Sequence, residues 1–290
     1  MINIDEIIRE KLDLQDTSNV EVYRNMENKS KYHPLIRDIV NENVPKNEPC
    51  HDLNIEKSLK ENGYVVIEDF FNQEQVNEIV KLTDNLPGYN FHIPNRAFNQ
   101  ETKVFSDDTD WNITAYKMDA MLQNELILKT ITRPDLISLA QSYLGCLPTI
   151  HSVNLWWSKF TGEIFHTQKI HRDIDDYKFL AFFIYLSDVD ENNGPHIFYP
   201  KTHNGSDDLN EKVVITGKAG TAIIADTYAW HHGSPLYEGK RLMLWTRYGL
   251  FKNNNFYRDN NSVFAQEPEV FFNKIEDNII NRYILRAFTK

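Results

Sequence analysis

Apolar positions change their spacing along the chain. Before Pro148 they recur mostly at helical intervals, and from Pro148 onward they fall into short alternating runs separated by turn residues. Ile7, Ile8 and Leu12 share one helical face, and Ile36 with Ile39 and Val40 predicts a second, short helix. Pro45 and Pro49, set among Asn and Lys, break the chain before its main body. The segment 55–60 reads as a helix, Gly63 as its stop, and the β-branched run 64–70 as a strand. Asn72 is placed to cap a helix carrying Val76, Ile79, Val80 and Leu82. A further helix is expected over 134–143, closed by Gly145. Strands are expected at 150–160, 179–186, 196–199, 213–215, 221–225 and 241–248, and an amphipathic helix at 279–288. Short strands at near-regular spacing predict a mainly β protein, an antiparallel sandwich or barrel rather than an α/β sheet. The expected organisation is a helical N-terminal extension (1–60), a β domain (61–250), and a C-terminal extension (251–290) whose helix packs on the core.

Charge narrows the function. The 290 residues hold 31 Lys and Arg against 42 Asp and Glu, a net charge of −11, which disfavours nucleic acid or an anionic membrane as partner. Apolar runs such as Phe182-Phe183-Ile184 are too short to span a bilayer. Asp5 and Glu6 stand where a secretory signal would be basic and then apolar. Two cysteines, Cys50 and Cys146, form no disulfide framework, so a reduced, cytoplasmic setting is expected. Oligomeric state has no signature in the sequence.

The strongest chemical feature is His171-Arg172-Asp173, just before a strand-like run. In extended chain, residues i and i+2 project to one face, so an imidazole and a carboxylate converge. Such a pair suits a divalent first-row metal, and a third ligand from another strand would complete a facial triad. The segment 226–235 supplies two adjacent candidates, His231 and His232, and Arg241 heads the next strand. A guanidinium beside a metal-bound His can clamp the distal carboxylate of a keto acid in two bonds, a geometry that Lys lacks.

The run His171-Arg172-Asp173, then 182–195, then Pro200-Lys201-Thr202-His203 resembles the phytanoyl-CoA dioxygenase superfamily, and 63–71 resembles that family's opening strand. The resemblance spans roughly residues 60–250. It implies a double-stranded β-helix (a jelly-roll, cupin-like core) with flanking helices at both ends. It also implies a non-haem Fe(II)/2-oxoglutarate-dependent oxygenase, a hydroxylase of a small-molecule C–H bond that uses O2 and releases succinate and CO2. The family pattern gives the metal to His171, Asp173 and a distal His, and 2-oxoglutarate to Arg241. Both His231 and His232 fit a family form, and the spacing to Arg241 favours His231. The family's Pro-Gly-Ser-His turn is here Pro200-Lys201-Thr202-His203, without its Gly.

Gln168 lies three residues before His171, within reach of a bound acid, and is expected to help hold the co-substrate. Of Trp156 and Trp157, one ring should face inward; Trp156 is a candidate substrate contact, as is Arg247, which shares strand parity with Arg241. His151, His166, His196 and His203 are expected to be structural or peripheral. Two other readings use the same residues: a cupin-like ligand-binding module without redox chemistry, and a Zn-dependent hydrolase. The module has no need of an Arg clamp, and the hydrolase lacks an evident general base.

Overall fold

Local signals set the helix ends. The computed structural model describes residues 4–12, 26–91, 102–164, 166–250 and 267–289, with the side chains of Arg9 and His166 left out. Asp52 caps helix α3 (Leu53–Asn62) by accepting from the Asn54 N–H, and Gly63 ends it at φ +84° with its N–H on the Leu59 carbonyl. Asn72 and Gln75 form a reciprocal capping box at the start of α4 (Gln73–Thr83). Gly145, at φ +80°, closes α7 (Pro134–Leu144). Before α3 come α1 (Ile4–Leu12) and α2 (Met26–Asn43), and before α7 the short α5 (Met118–Gln123) and α6 (Glu125–Ile131). Helix α2 is far longer than the short helix predicted around Ile36. Its first half buries Lys29 rather than an apolar residue, so the helical stripe is invisible there.

Strands follow the predicted order with changed ends: β1 (Tyr64–Ile67), β5 (Thr149–Lys159), β6 (Phe179–Tyr185), β7 (His196–Phe198), β8 (Val213–Ile215), β9 (Ala222–Ala225) and β11 (Lys240–Gly249). Four more were not anticipated: β2 (Pro87–Asn90), β3 (Thr102–Val104), β4 (Ile113–Ala115) and β10 (His231–Gly233). Among the described residues they form an eight-stranded sheet, β1-β9-β6-β11-β5-β4-β2-β3, and a three-stranded sheet, β10-β7-β8, both antiparallel. Strands β2, β3 and β4 add an edge to the large sheet; residues 92–101, between β2 and β3, lie outside the described residues, as does 251–266 of the C-terminal extension. Helices α8 (Glu269–Phe272) and α9 (Ile279–Ile284) follow.

Strand alternation splits the large sheet into two faces. Trp156, Phe183, Met243 and Trp245 face the small sheet and share a core with its Phe198 and Ile215, which makes the jelly-roll interior. Trp157, Phe182, Ile184 and Leu244 face outward and pack with Ile8, Ile36 and Ile79 from the helices and with Phe288 from the turn after α9. The adjacent tryptophans thus divide as the sequence predicts, Trp156 inward and Trp157 outward. Trp157 stacks on Phe105 at 4.8 Å and 7°, and its Nε1–H donates to the Thr83 hydroxyl at 3.2 Å. No helix among the described residues is long and apolar enough to cross a membrane.

Because Trp157 joins the outer core to α4 with both its ring and its N–H, Trp157→Ala should lower unfolding free energy by about 3–5 kcal/mol. Urea unfolding checks this, with Trp157→Phe expected to lose less.

Candidate active site

His171 lies in extended chain just ahead of β6 and pairs with β10. Its N–H donates to the His231 carbonyl and its carbonyl accepts from the His231 N–H, each at 3.0 Å. Two residues on, the Asp173 N–H donates to the Thr227 carbonyl at 2.8 Å. Alternation puts His171 and Asp173 on one face, and the pairing turns His231 toward them. His171 Nε2 lies 3.5 Å from Asp173 Oδ1, and His231 Nε2 3.6 Å from Asp173 Oδ2. One ligand atom from each of the three lies within 4.8 Å of the other two.

Backbone contacts also orient the rings. Nδ1 of His171 is 2.7 Å from the Lys169 carbonyl, and Nδ1 of His231 is 3.0 Å from the Ala229 carbonyl. A carbonyl only accepts, so each Nδ1 carries the proton and each neutral ring keeps its Nε2 lone pair for a ligand. His232 sits across β10 from this face, opposite Ile197, and is only half-buried.

Arg247 on β11 holds the carboxylate side of the triad. Its Nη2 donates to Asp173 Oδ2 at 2.6 Å, and its Nη1 pairs with Asp175 Oδ2 at 2.6 Å. Burial pushes the Asp173 carboxyl up, but Arg247 and then His231 and His171 outweigh it and hold it well below the usual range. Asp175 goes the other way, to about 7, because burial and the Asp173 charge outweigh Arg247. Burial takes the His231 imidazole down to about 4, which favours the neutral, ligating form. At His171 burial acts downward too, but the Asp173 carboxylate outweighs it and the value rises.

Beside the triad is a cavity of about 80 Å³ walled by Ile113, Trp156, Phe183, Met243 and Trp245. Its polar lining includes Thr167, His196, Arg241 and Arg247. Arg241 is buried; its Nη1 donates to the Gly194 carbonyl, its Nε has no partner, and no acid lies within ion-pair distance among the described residues. His196 stacks on the His231 ring at 5.4 Å and 14°, with its Nε2 unpartnered. Burial, then His231 and Arg241, keep the His196 ring well below its usual pKa. The indole N–H groups of Trp156 and Trp245 are also buried and unpartnered.

The structure therefore brings His171, Asp173, His231, Arg241, Trp156 and Arg247 to one cavity. It does not bring in His232, and Gln168 is half-buried on the turn whose preceding residue, Thr167, lines the cavity. Arg247, expected to meet an acidic substrate group, has both terminal nitrogens on aspartates. His196, expected to be structural or peripheral, is buried and faces the interior. The overlooked signal was parity: His196 and Phe198 alternate with Ile197 on β7, so His196 shares the core-facing side of Phe198. The side chain of His166 lies outside the described residues.

The sequence pattern of the family described as phytanoyl-CoA dioxygenase (PhyH) matches residues 59–237, which include His171, Asp173 and His231 and end before Arg241. The fold is similar to that of EctD from S. alaskensis with bound Fe, at 17% identity over 81% of this chain and 89% of that one, with a TM-score of 0.52. It is similar to the non-heme alpha ketoglutarate dependent epimerase SnoN from nogalamycin biosynthesis, at 15% identity over 67% and 81%, TM-score 0.51. It is also similar to HygX from Streptomyces hygroscopicus with nickel and 2-oxoglutarate bound, at 11% identity over 69% and 87%, TM-score 0.51. At these identities the likeness is one of fold. No curated protein matches the sequence.

The facing of β10 gives a direct test. His231→Ala should abolish stoichiometric divalent-metal binding, measured by titration of the purified chain, while His232→Ala should retain it. Arg247→Met should weaken metal affinity about 10–100-fold, the usual effect of removing a group that orients a ligand.

Proposed function

The chain belongs to the phytanoyl-CoA dioxygenase family, and from that premise we propose that it is a non-haem Fe(II)/2-oxoglutarate-dependent oxygenase that hydroxylates a C–H bond of a small molecule. The observation that carries this reading is the buried Arg241, without an acid partner among the described residues, in the same cavity as a His–Asp–His triad. A buried guanidinium is costly unless paired, so the cavity suits an occupant that brings a carboxylate. The donor set fits ferrous iron, since two imidazoles and one carboxylate converge on one face. Bound there, iron and 2-oxoglutarate supply the activation of O2 that makes the reaction an oxidation, with succinate and CO2 released.

On this reading the protein's residues divide the remaining work. His171, Asp173 and His231 hold the metal, and the Nδ1–H contacts to Lys169 and Ala229 fix the two rings. Arg247 holds the Asp173 carboxylate in place and thus acts through a ligand rather than on substrate. Arg241 takes the distal carboxylate of 2-oxoglutarate in a two-bond clamp. His196 lies beside the His231 ring and close enough to Arg241 to feel its charge, and its unpartnered Nε2 adds a polar contact for the co-substrate. Trp156, Phe183 and Trp245 exclude water, and Trp156 offers an indole N–H to an acceptor oxygen on the substrate. Two free cysteines, Cys50 exposed and Cys146 buried, accord with a cytoplasmic setting.

Removing the clamp while sparing the triad tests the proposal. Charge-assisted hydrogen bonds contribute roughly 1.5–3 kcal/mol each, so Arg241→Ala should weaken 2-oxoglutarate binding by about ten- to several-hundred-fold. Arg241→Lys should fall between it and wild type, because it keeps the charge without the planar fork. Anaerobic titration of the metal-loaded proteins checks this, with equal metal content expected in all three. Unchanged affinity in Arg241→Ala would remove the clamp from the proposal.

A further inference from the structure

A second cavity, of about 290 Å³, opens between α2, α7 and the segments that precede β6 and follow β9, and it shares no lining residue with the cavity beside the triad. Phe179 stands between them: Lys29 Nζ lies 5.5 Å from its ring on one side of the barrel end, and the Arg247 guanidinium lies 5.8 Å from the same ring. In a chain of net charge −11, this cavity gathers five basic side chains, Lys29, Lys60, Lys178, His33 and His203, against one acid, Asp226.

That acid is already committed. Asp226 Oδ2 accepts from the Tyr143 hydroxyl at 2.6 Å, and Oδ1 accepts from the Tyr228 N–H at 3.0 Å. The acids behind the wall are engaged as well: Asp176 accepts from the Tyr177 and Leu250 N–H groups, and Asp175 pairs with Arg247. Among the bases, Lys60 pairs with Glu56, and Lys29 donates to the Asp176 carbonyl at 2.7 Å and the Tyr177 carbonyl at 3.3 Å. Lys178 has neither ion pair nor hydrogen bond among the described residues; its ammonium lies 4.3 Å from the centre of the Tyr143 ring. His33 Nε2 donates to the Leu144 carbonyl at 2.7 Å and His203 Nε2 to the Lys60 carbonyl at 3.3 Å, so both rings are engaged with main chain. Burial lowers Lys29 to about 8 against the pull of Asp226, Asp176 and Asp175, and it lowers Lys178 against that of Asp226, so both ammoniums have lost water that a bound anion would replace.

We propose that this cavity is a second ligand site that binds the phosphoryl group of a small metabolite, with Lys178 as its principal contact. Phosphate rather than a planar carboxylate fits the donors. Lysine ammoniums are point charges without the arginine fork, and here those of Lys29 and Lys178 approach from separate elements, which suits a compact, multiply charged anion. The rings of Tyr228 and Tyr143 lie beneath the ammoniums of Lys29 and Lys178 and hold them at the cavity wall. The site is independent of the metal-centre reading.

Titration of the full chain with inorganic phosphate, followed by phosphorus NMR at low ionic strength, tests it. Saturable binding at one phosphate per chain is expected. Lys178→Ala and the longer-stemmed Lys178→Gln should each weaken it about tenfold or more, and Lys178→Arg should largely retain it. Arg241→Met should leave it unchanged, since Arg241 lines the other cavity. Phenyl phosphate in place of inorganic phosphate identifies the source: tighter binding means an esterified metabolite, and equal binding means free phosphate. Absence of saturation, wild-type affinity in both neutral Lys178 variants, or loss of binding in Arg241→Met would each overturn the site.

Discussion

Everything in the candidate active site depends on one backbone contact, the reciprocal pair of hydrogen bonds between His171 and His231. It fastens the segment leading into β6 to the edge of the small sheet. Once those bonds form, the two-residue period of extended chain leaves little freedom. His171 and Asp173 face inward together, His231 meets them, and His232 points to the other side. A register slip of one residue would exchange the two histidines and dismantle the triad. Asp173 adds a second anchor through the Thr227 carbonyl, so main chain holds the three side chains of the triad together.

Charge placement completes the constraint. Arg247 and Arg241 lie on the same face of β11, both buried, yet their circumstances differ. Arg247 is saturated by two aspartates, whereas Arg241 meets a backbone carbonyl and no acid among the described residues. One guanidinium thus belongs to the frame of the site and the other to whatever enters it. The neighbouring imidazoles of His196 and His231 are kept neutral by burial, which spares the cavity further positive charge. Unpartnered N–H groups on Trp156 and Trp245 give the cavity donors without matching acceptors.

Much of this was legible in the sequence, because strands with period-two alternation and helices with capped ends announce themselves locally. The Gly63 stop, the Asn72 cap and the inward Trp156 beside the outward Trp157 follow from residue chemistry and parity. The order of motifs carried the family resemblance. Of the three-residue strands, β7 and β8 were legible as apolar runs between turn residues, whereas β3, β4 and β10, which include Thr, Lys and His, were not. Helix α2 was read as too short because its inward position 29 is a lysine satisfied by carbonyls on a distant segment. The role of Arg247 was hidden for the same reason: strand parity showed which way it faces, but not that Asp175, two residues past a triad member, would share it.

The central claim is that the triad and Arg241 act together on one co-substrate. Its most direct measurement is succinate formed from 2-oxoglutarate in air by the full chain, counted against bound iron. Iron-dependent succinate release is expected, stopping when the metal is chelated and returning when iron is restored. A chain fully loaded with iron that forms no more succinate than its metal-free form would contradict it.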